Sequence, residues 1–160
     1  MKKIFSIILL LPFLAFSQGG MHFEHGKTWQ QVVTQATKEK KFIVVDCFTT
    51  WCGPCKYMSS TIFPQKEVGD FYNKNFVNFK LQMDETSGDN AEVKSLYATA
   101  KDFEKKYGVN AYPTFLFFNS KGELVHKVVG GGDATMFIEG GKNAMNPAKQ
   151  YFTLVKKFKE

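Results

Sequence analysis

Phe42 to Phe48 reads FIVVDCF, with apolar or β-branched residues at both alternating sets of positions. A strand of that kind is covered on both faces, as in parallel sheets packed between two layers of helix. The flanking chain fits that arrangement. Upstream, Trp29, Val32, Val33 and Ala36 recur at helical spacing behind Thr28, an N-cap with Gln31 three residues on, and the pattern stops in the charged run Lys38–Lys41. Downstream, Cys52 to about Ile62 reads as a helix, Pro64 breaks it, and a further helical stretch runs to Asn75. Phe76 to Met83 alternates apolar with polar residues, as a second strand does. After a polar loop, Thr86–Asp89, either Asp89 or Asn90 caps a helix in which Val93, Leu96, Ala100, Phe103 and Tyr107 share one face and which Gly108 ends.

Thr114 to Phe118 (TFLFF) is another buried strand, and Asn119-Ser120-Lys121-Gly122 turns it into Glu123–Val129, an antiparallel hairpin. Gly130–Gly132 lead to Asp133, which reads as a cap. Pro147 suits the first turn of a closing helix with Tyr151, Phe152, Val155 and Phe158 on its buried stripe. This order predicts an α/β domain with one central mixed β-sheet flanked by helices on both faces. At 160 residues the chain is long enough to bury such a core, and 17 Phe supply packing.

The fold is expected to start late. Lys2 and Lys3 precede an apolar run, Ile4 to Phe16, and Ala15 and Ser17 sit at −3 and −1 of a cleavage point before Gln18, so 1–17 reads as a signal peptide. The alternative is an uncleaved N-terminal anchor. Residues 18–27 read as a Gly-rich flexible lead-in with a short strand near His22–Glu24, and 28–160 as the domain. Losing Lys2 and Lys3 lowers the formal charge from +6 to +4. The mature chain is thus expected to be exported, periplasmic or secreted, where disulfides form and persist. All 21 basic residues are Lys, and none cluster with aromatics, so a solvated positive surface is expected and no nucleic acid partner.

The chemistry is concentrated in Trp51-Cys52-Gly53-Pro54-Cys55-Lys56, directly after the first buried strand and at a helix start. Unpaired N–H groups and the positive end of the helix dipole stabilise a thiolate at Cys52, the form that attacks a disulfide. This reading needs the Cys52 sulfur to be exposed. Cys55 lies one turn on, placed to resolve a mixed disulfide; Gly53 permits close approach and Pro54 stiffens the turn. Asp46, six residues before Cys52, shares a strand face with Phe42, Val44 and Phe48; a carboxyl there has a raised pKa and can pass a proton to and from Cys55. Tyr112 and Pro113 open the strand at Thr114. Zinc, the other use of C-x-x-C, needs two further ligands, and His22, His25, His126 and Cys47 have no ligand spacing, so no metal site is expected. Cys47 reads as a small buried hydrophobe, and the three histidines as solvent-facing.

On these residues, over about Thr28 to Val129, the chain resembles the thioredoxin superfamily. Trp51 to Lys56 matches its active-site motif, Asp46 its buried acid, Pro113 its cis-proline and Gly130 or Gly131 its glycine after the last strand. The stretch from Thr61-Ile62-Phe63 through Phe71, Phe76 and Asp84 is similar to exported members, including the periplasmic domain of the membrane disulfide-interchange reductase. The resemblance implies a thioredoxin fold and a protein-disulfide oxidoreductase with no cofactor beyond the Cys52–Cys55 disulfide. Trp51, Gly53, Pro54, Tyr112 and Pro113 would line the groove for disulfide-bearing client proteins, and a membrane thiol-reductase would supply electrons to a monomer. Gly-Pro between the cysteines resembles reducing thioredoxins, at about −270 mV against about −120 mV for the periplasmic oxidant. The alternatives are an oxidase or isomerase of the same fold, or a non-catalytic peptide-binding module. The tail from Asp133 to Glu160 exceeds a minimal thioredoxin, and Gly140-Gly141 followed by Asn143–Pro147 has no counterpart in the resemblance.

Overall fold

Thr28 caps the first helix as its sequence predicts: its hydroxyl accepts from the Gln31 N–H, and the Gln31 side chain returns to the Thr28 N–H. A computed structural model describes residues 19–158; the expected signal peptide, 1–17, lies outside the described residues. The elements are β1 (Phe23–Glu24), α1 (Trp29–Glu39), β2 (Phe42–Phe48), α2 (Gly53–Tyr57) continuing as a π-helical turn (Met58–Ile62), α3 (Lys66–Asn75), β3 (Phe76–Gln82), α4 (Ala91–Ser95), α5 (Tyr97–Tyr107), β4 (Thr114–Phe118), β5 (Leu124–Val129), α6 (Ala134–Met145) and α7 (Tyr151–Lys157).

The five strands form one mixed sheet in the order β1-β3-β2-β4-β5, parallel where β3 meets β1 and β2, antiparallel where β4 meets β2 and β5. Period two splits β2 between two cores. Ile43, Val45 and Cys47 pack with Val32 and Ala36 of α1 and Ala100 and Phe103 of α5. Val44 packs on the other face with Met58 and Ile62 of the π turn, Tyr72 of α3 and Phe137 of α6. The predicted single helix after Asn90 breaks at Leu96, where the N–H closes a tighter turn onto Val93 O.

Two stretches differ from expectation. The lead-in is not loose over residues 19–27. Its predicted short strand is β1; Met21 N–H bonds Phe63 O, His22 N–H bonds Asn73, and Asn78 donates to His22 O. Gly20 lies so close to α3 that a Cβ at Gly69 would collide with its carbonyl oxygen.

The predicted buried stripe on the closing helix is absent. α7 starts at Tyr151, beyond Pro147; Tyr151, Phe152 and Phe158 are exposed, Phe158 at 92%, and Val155 is half-buried. The reason is α6, capped by Asp133 as expected, which occupies the sheet face itself. Ala134, Phe137, Gly140, Gly141 and Ala144 are its buried residues, and Gly141 admits the Phe71 ring, whose Cε1 would stand 2.6 Å from a Cβ there. That leaves α7 as an outer layer on β5. His126, expected in solvent, is buried (9% exposed), with Nδ1 accepting the Tyr151 N–H at 2.8 Å. His22 and His25 are exposed and Cys47 is buried, as expected.

Candidate active site

β2 delivers the chain to a turn in which Cys52 N–H bonds Thr49 O, and Asp84 accepts from the backbone and hydroxyl of Thr50. Asp84 thereby fixes the turn from the loop after β3. Cys52 is the N-cap of α2, with Gly53 and Pro54 opening the helix. The Cys55 N–H points at the Cys52 sulfur, 3.1 Å away, so a free helix N–H does solvate that atom. The two sulfurs are joined at 2.06 Å, with 5.3 Å between the Cα atoms.

One expectation is corrected here. With its sulfur bonded to Cys55 and accepting the Cys55 N–H, Cys52 is only 3% exposed in this disulfide form, and a sulfur nucleophile arises there only once the pair is reduced.

Trp51 stands out at 69% exposure, its ring edge-to-face with Tyr112 at 5.9 Å. The Tyr112–Pro113 peptide bond is cis, and Pro113 O accepts from Gly130 N–H at 2.8 Å. The following Gly131 reaches the helix start: a Cβ there would be 3.8 Å from Pro54 and 3.4 Å from Met58. Trp51, Tyr112, Pro113, Gly131 and Pro54 thus form a continuous rim from three separated segments.

Asp46 is 2% exposed and lies on the sheet face covered by the helix that carries Cys55. Burial raises its pKa, and the Lys80 ammonium opposes that shift. Lys80, paired with Asp46 across β3, donates to Asp46 Oδ2 at 3.0 Å and to Ser59 Oγ, one turn beyond Cys55, at 2.9 Å. The other carboxyl oxygen, Oδ1, is buried with no hydrogen-bond partner among the described residues. It is the oxygen free to carry a proton.

Lys80, Ser59 and Asp84 were missed as site residues. Lys80 carried the one available signal, a charged residue at an inward position of an alternating strand. The arrangement can stabilise a sulfur anion at Cys52, hold a second sulfur within bonding distance, and store a proton on a desolvated carboxyl. No group of three or more His, Cys, Asp or Glu among the described residues is placed to hold a metal ion.

A family model described as a thioredoxin-like domain matches residues 29–144. The chain belongs to the thioredoxin-like family. Among relatives, this thioredoxin-like chain is 36% identical over 106 residues to Thioredoxin-2 of Pyricularia oryzae, covering 66% of this chain and 51% of that protein. It therefore spans about half the length of that curated relative. Among solved structures it is similar to a Bacteroides thetaiotaomicron protein that goes under the name disulphide-isomerase, at 38% identity and TM-score 0.64, over 80% of this chain and 95% of the other. A DsbH oxidoreductase shares the fold at 15% identity and TM-score 0.64, over 88% of this chain and 94% of the other. The thioredoxin fold expected from the sequence is the fold observed, and residues 134–144 of the unmatched tail fall inside the family match.

Proposed function

We propose that this protein is an exported thiol–disulfide oxidoreductase that reduces disulfides in client proteins. The observation that carries the reading is the Cys52 sulfur at the start of α2, with the Cys55 N–H aimed at it and the Cys55 sulfur bonded to it. In the reduced protein the Cys52 thiolate attacks one sulfur of a client disulfide. One S–S bond breaks, a mixed disulfide forms, and the first client thiolate leaves. Asp46 takes the proton of Cys55, whose sulfur attacks Cys52; the second client thiolate leaves and the Cys52–Cys55 bond closes. The client gains two electrons and the pair loses two. No cofactor beyond that disulfide is needed. A membrane thiol-reductase restores the dithiol, since the exported compartment lacks the cytosolic reductant.

The Lys2–Lys3 start and the apolar run after it support export. Trp51, Gly53, Pro54 and Tyr112 form the surface a client meets, with the buried Pro113 beneath it, and the protein works as a monomer. Insulin reduction tests the reading: Cys52→Ser abolishes it, and unchanged activity would remove Cys52 from its role. A Cys55→Ser variant accumulates mixed disulfides at Cys52, whose partners mass spectrometry names; an empty trap in cells holding the folded variant would sink the proposal. Likeness to the disulphide-isomerase protein favours isomerisation as the second reading. Equilibrating the pair with glutathione separates the two, with a reductase near the thioredoxin end at about −270 mV.

A further inference from the structure

Lys80 reaches Asp46 through an unusual enclosure. Its ammonium stands 5.0 Å from the centroid of the Phe23 ring, 4.7 Å from Phe48 and 5.1 Å from Phe63. Of its three N–H donors, one goes to Asp46 and one to Ser59. The rings come from three different elements: Phe23 from β1, Phe48 from the end of β2, and Phe63 from just past the π turn. Aromatic faces attract a cation, and more strongly where water is excluded. A free lysine stem has four rotatable bonds to explore, yet here it is confined to one geometry.

We propose that Phe23, Phe48, Phe63 and Ser59 are positioning residues: they hold the Lys80 ammonium on Asp46 and so set how readily that carboxyl binds a proton. Asp46 is the carboxylate within ion-pair distance of Lys80 among the described residues. The other charged groups lining the cleft beside Lys80 are Glu24 of β1, His25 just after it and Glu92 of α4. Glu24 is engaged by Lys27, and Glu92 by His25 and the Gly26 N–H. Phe23 makes the N-terminal strand part of the redox machinery, although β1 touches neither cysteine in the sheet pairing. That the proton on Asp46 serves Cys55 rests on the function proposed above; the effect of the enclosure on Asp46 does not.

The test is a carbon-13 NMR titration of the Asp46 carboxyl in the reduced full chain. Phe23→Leu keeps apolar bulk and removes the ring face, and it is expected to raise the Asp46 midpoint by about half a pH unit. Phe23→Tyr keeps the face and restores the wild-type midpoint. Ser59→Ala, at an exposed position, shifts the midpoint in the same direction and serves if Phe23→Leu fails to fold. A merely structural Phe23 lowers Tm and leaves the midpoint in place, and that outcome, or a Ser59→Ala midpoint equal to wild type, overturns the proposal. Alkylation of Cys55 against pH is measured alongside. If the carboxyl midpoint moves and the thiol profile does not, the enclosure stands and the proton role of Asp46 falls.

Discussion

The backbone N–H of Tyr151, the first residue of α7, donates to Nδ1 of His126 on β5 at 2.8 Å. This bond docks the outer helix on the sheet, and it exists only while that nitrogen is unprotonated.

Burial lowers the His126 pKa below its ordinary 6.5. The unfolded chain therefore takes up this proton at a higher pH than the folded one. The contribution of His126 to stability is full above 6.5 and is lost as pH falls toward the lower folded value. The protection of the Tyr151 amide, taken relative to the intrinsic exchange rate at each pH, is expected to fall as pH drops below 6.5. His126→Gln keeps an acceptor that does not titrate, and should flatten that profile; a flat wild-type profile would contradict the docking role.

Asp46 carries the opposite sign. Its folded pKa is raised by burial above the ordinary 3.8, so the folded chain holds this proton to a higher pH. Its contribution is full below 3.8 and is lost as pH rises through the folded value. Asp46→Asn should raise the urea unfolding free energy at neutral pH by on the order of 1 kcal/mol and remove that slope, while slowing insulin reduction at least about 100-fold. Equal urea curves at neutral pH would mean the carboxyl is not desolvated.

Gly69→Ala is a test of the lead-in. The new methyl would collide with Gly20 O, backbone that cannot rotate away, so the segment before β1 must shift. A loss of about 1–3 kcal/mol in urea is expected, with faster exchange at the amides of residues 21–24. Wild-type stability would show that residues 19–27 do not pack on α3.

Tyr72→Phe probes the junction of α6 with the body of the domain. The Tyr72 hydroxyl donates to Phe137 O at 2.6 Å, beneath a ring stack at 4.3 Å between centroids. Removing the hydroxyl alone should cost about 1 kcal/mol, read as a lower urea midpoint at unchanged slope. No change in midpoint would assign the junction to the ring stack.

Local chemistry carried most of what the sequence could tell. Thr28 with Gln31, Asp133, the two-faced run FIVVDCF and the turn at Asn119–Gly122 each act through neighbours a few residues away, and each was legible. So was the helix start at Cys52, because the cap and the chemistry use the same backbone groups. Lys80, Ser59 and the rings around them were not, since their relation to Asp46 exists only once β2, β3 and the π turn are side by side. The tail was misjudged for a related reason. Gly140-Gly141 had no counterpart in the resemblance, whereas the missing side chain at Gly141 is what lets α6 close on Phe71 and Tyr72.

Asp46 and Cys47 are consecutive, yet a strand sends them to opposite sides of the sheet, Cys47 into the core with Val45 and Leu81. The third thiol packs in the core on the sheet face opposite Asp46, and burial beside the Asp46 charge makes its own ionisation costly. Scrambling between Cys47 and the pair is closed for as long as the protein stays folded. A label appearing on Cys47 is therefore a clock for global opening, running inside the same molecule whose other two sulfurs report catalysis.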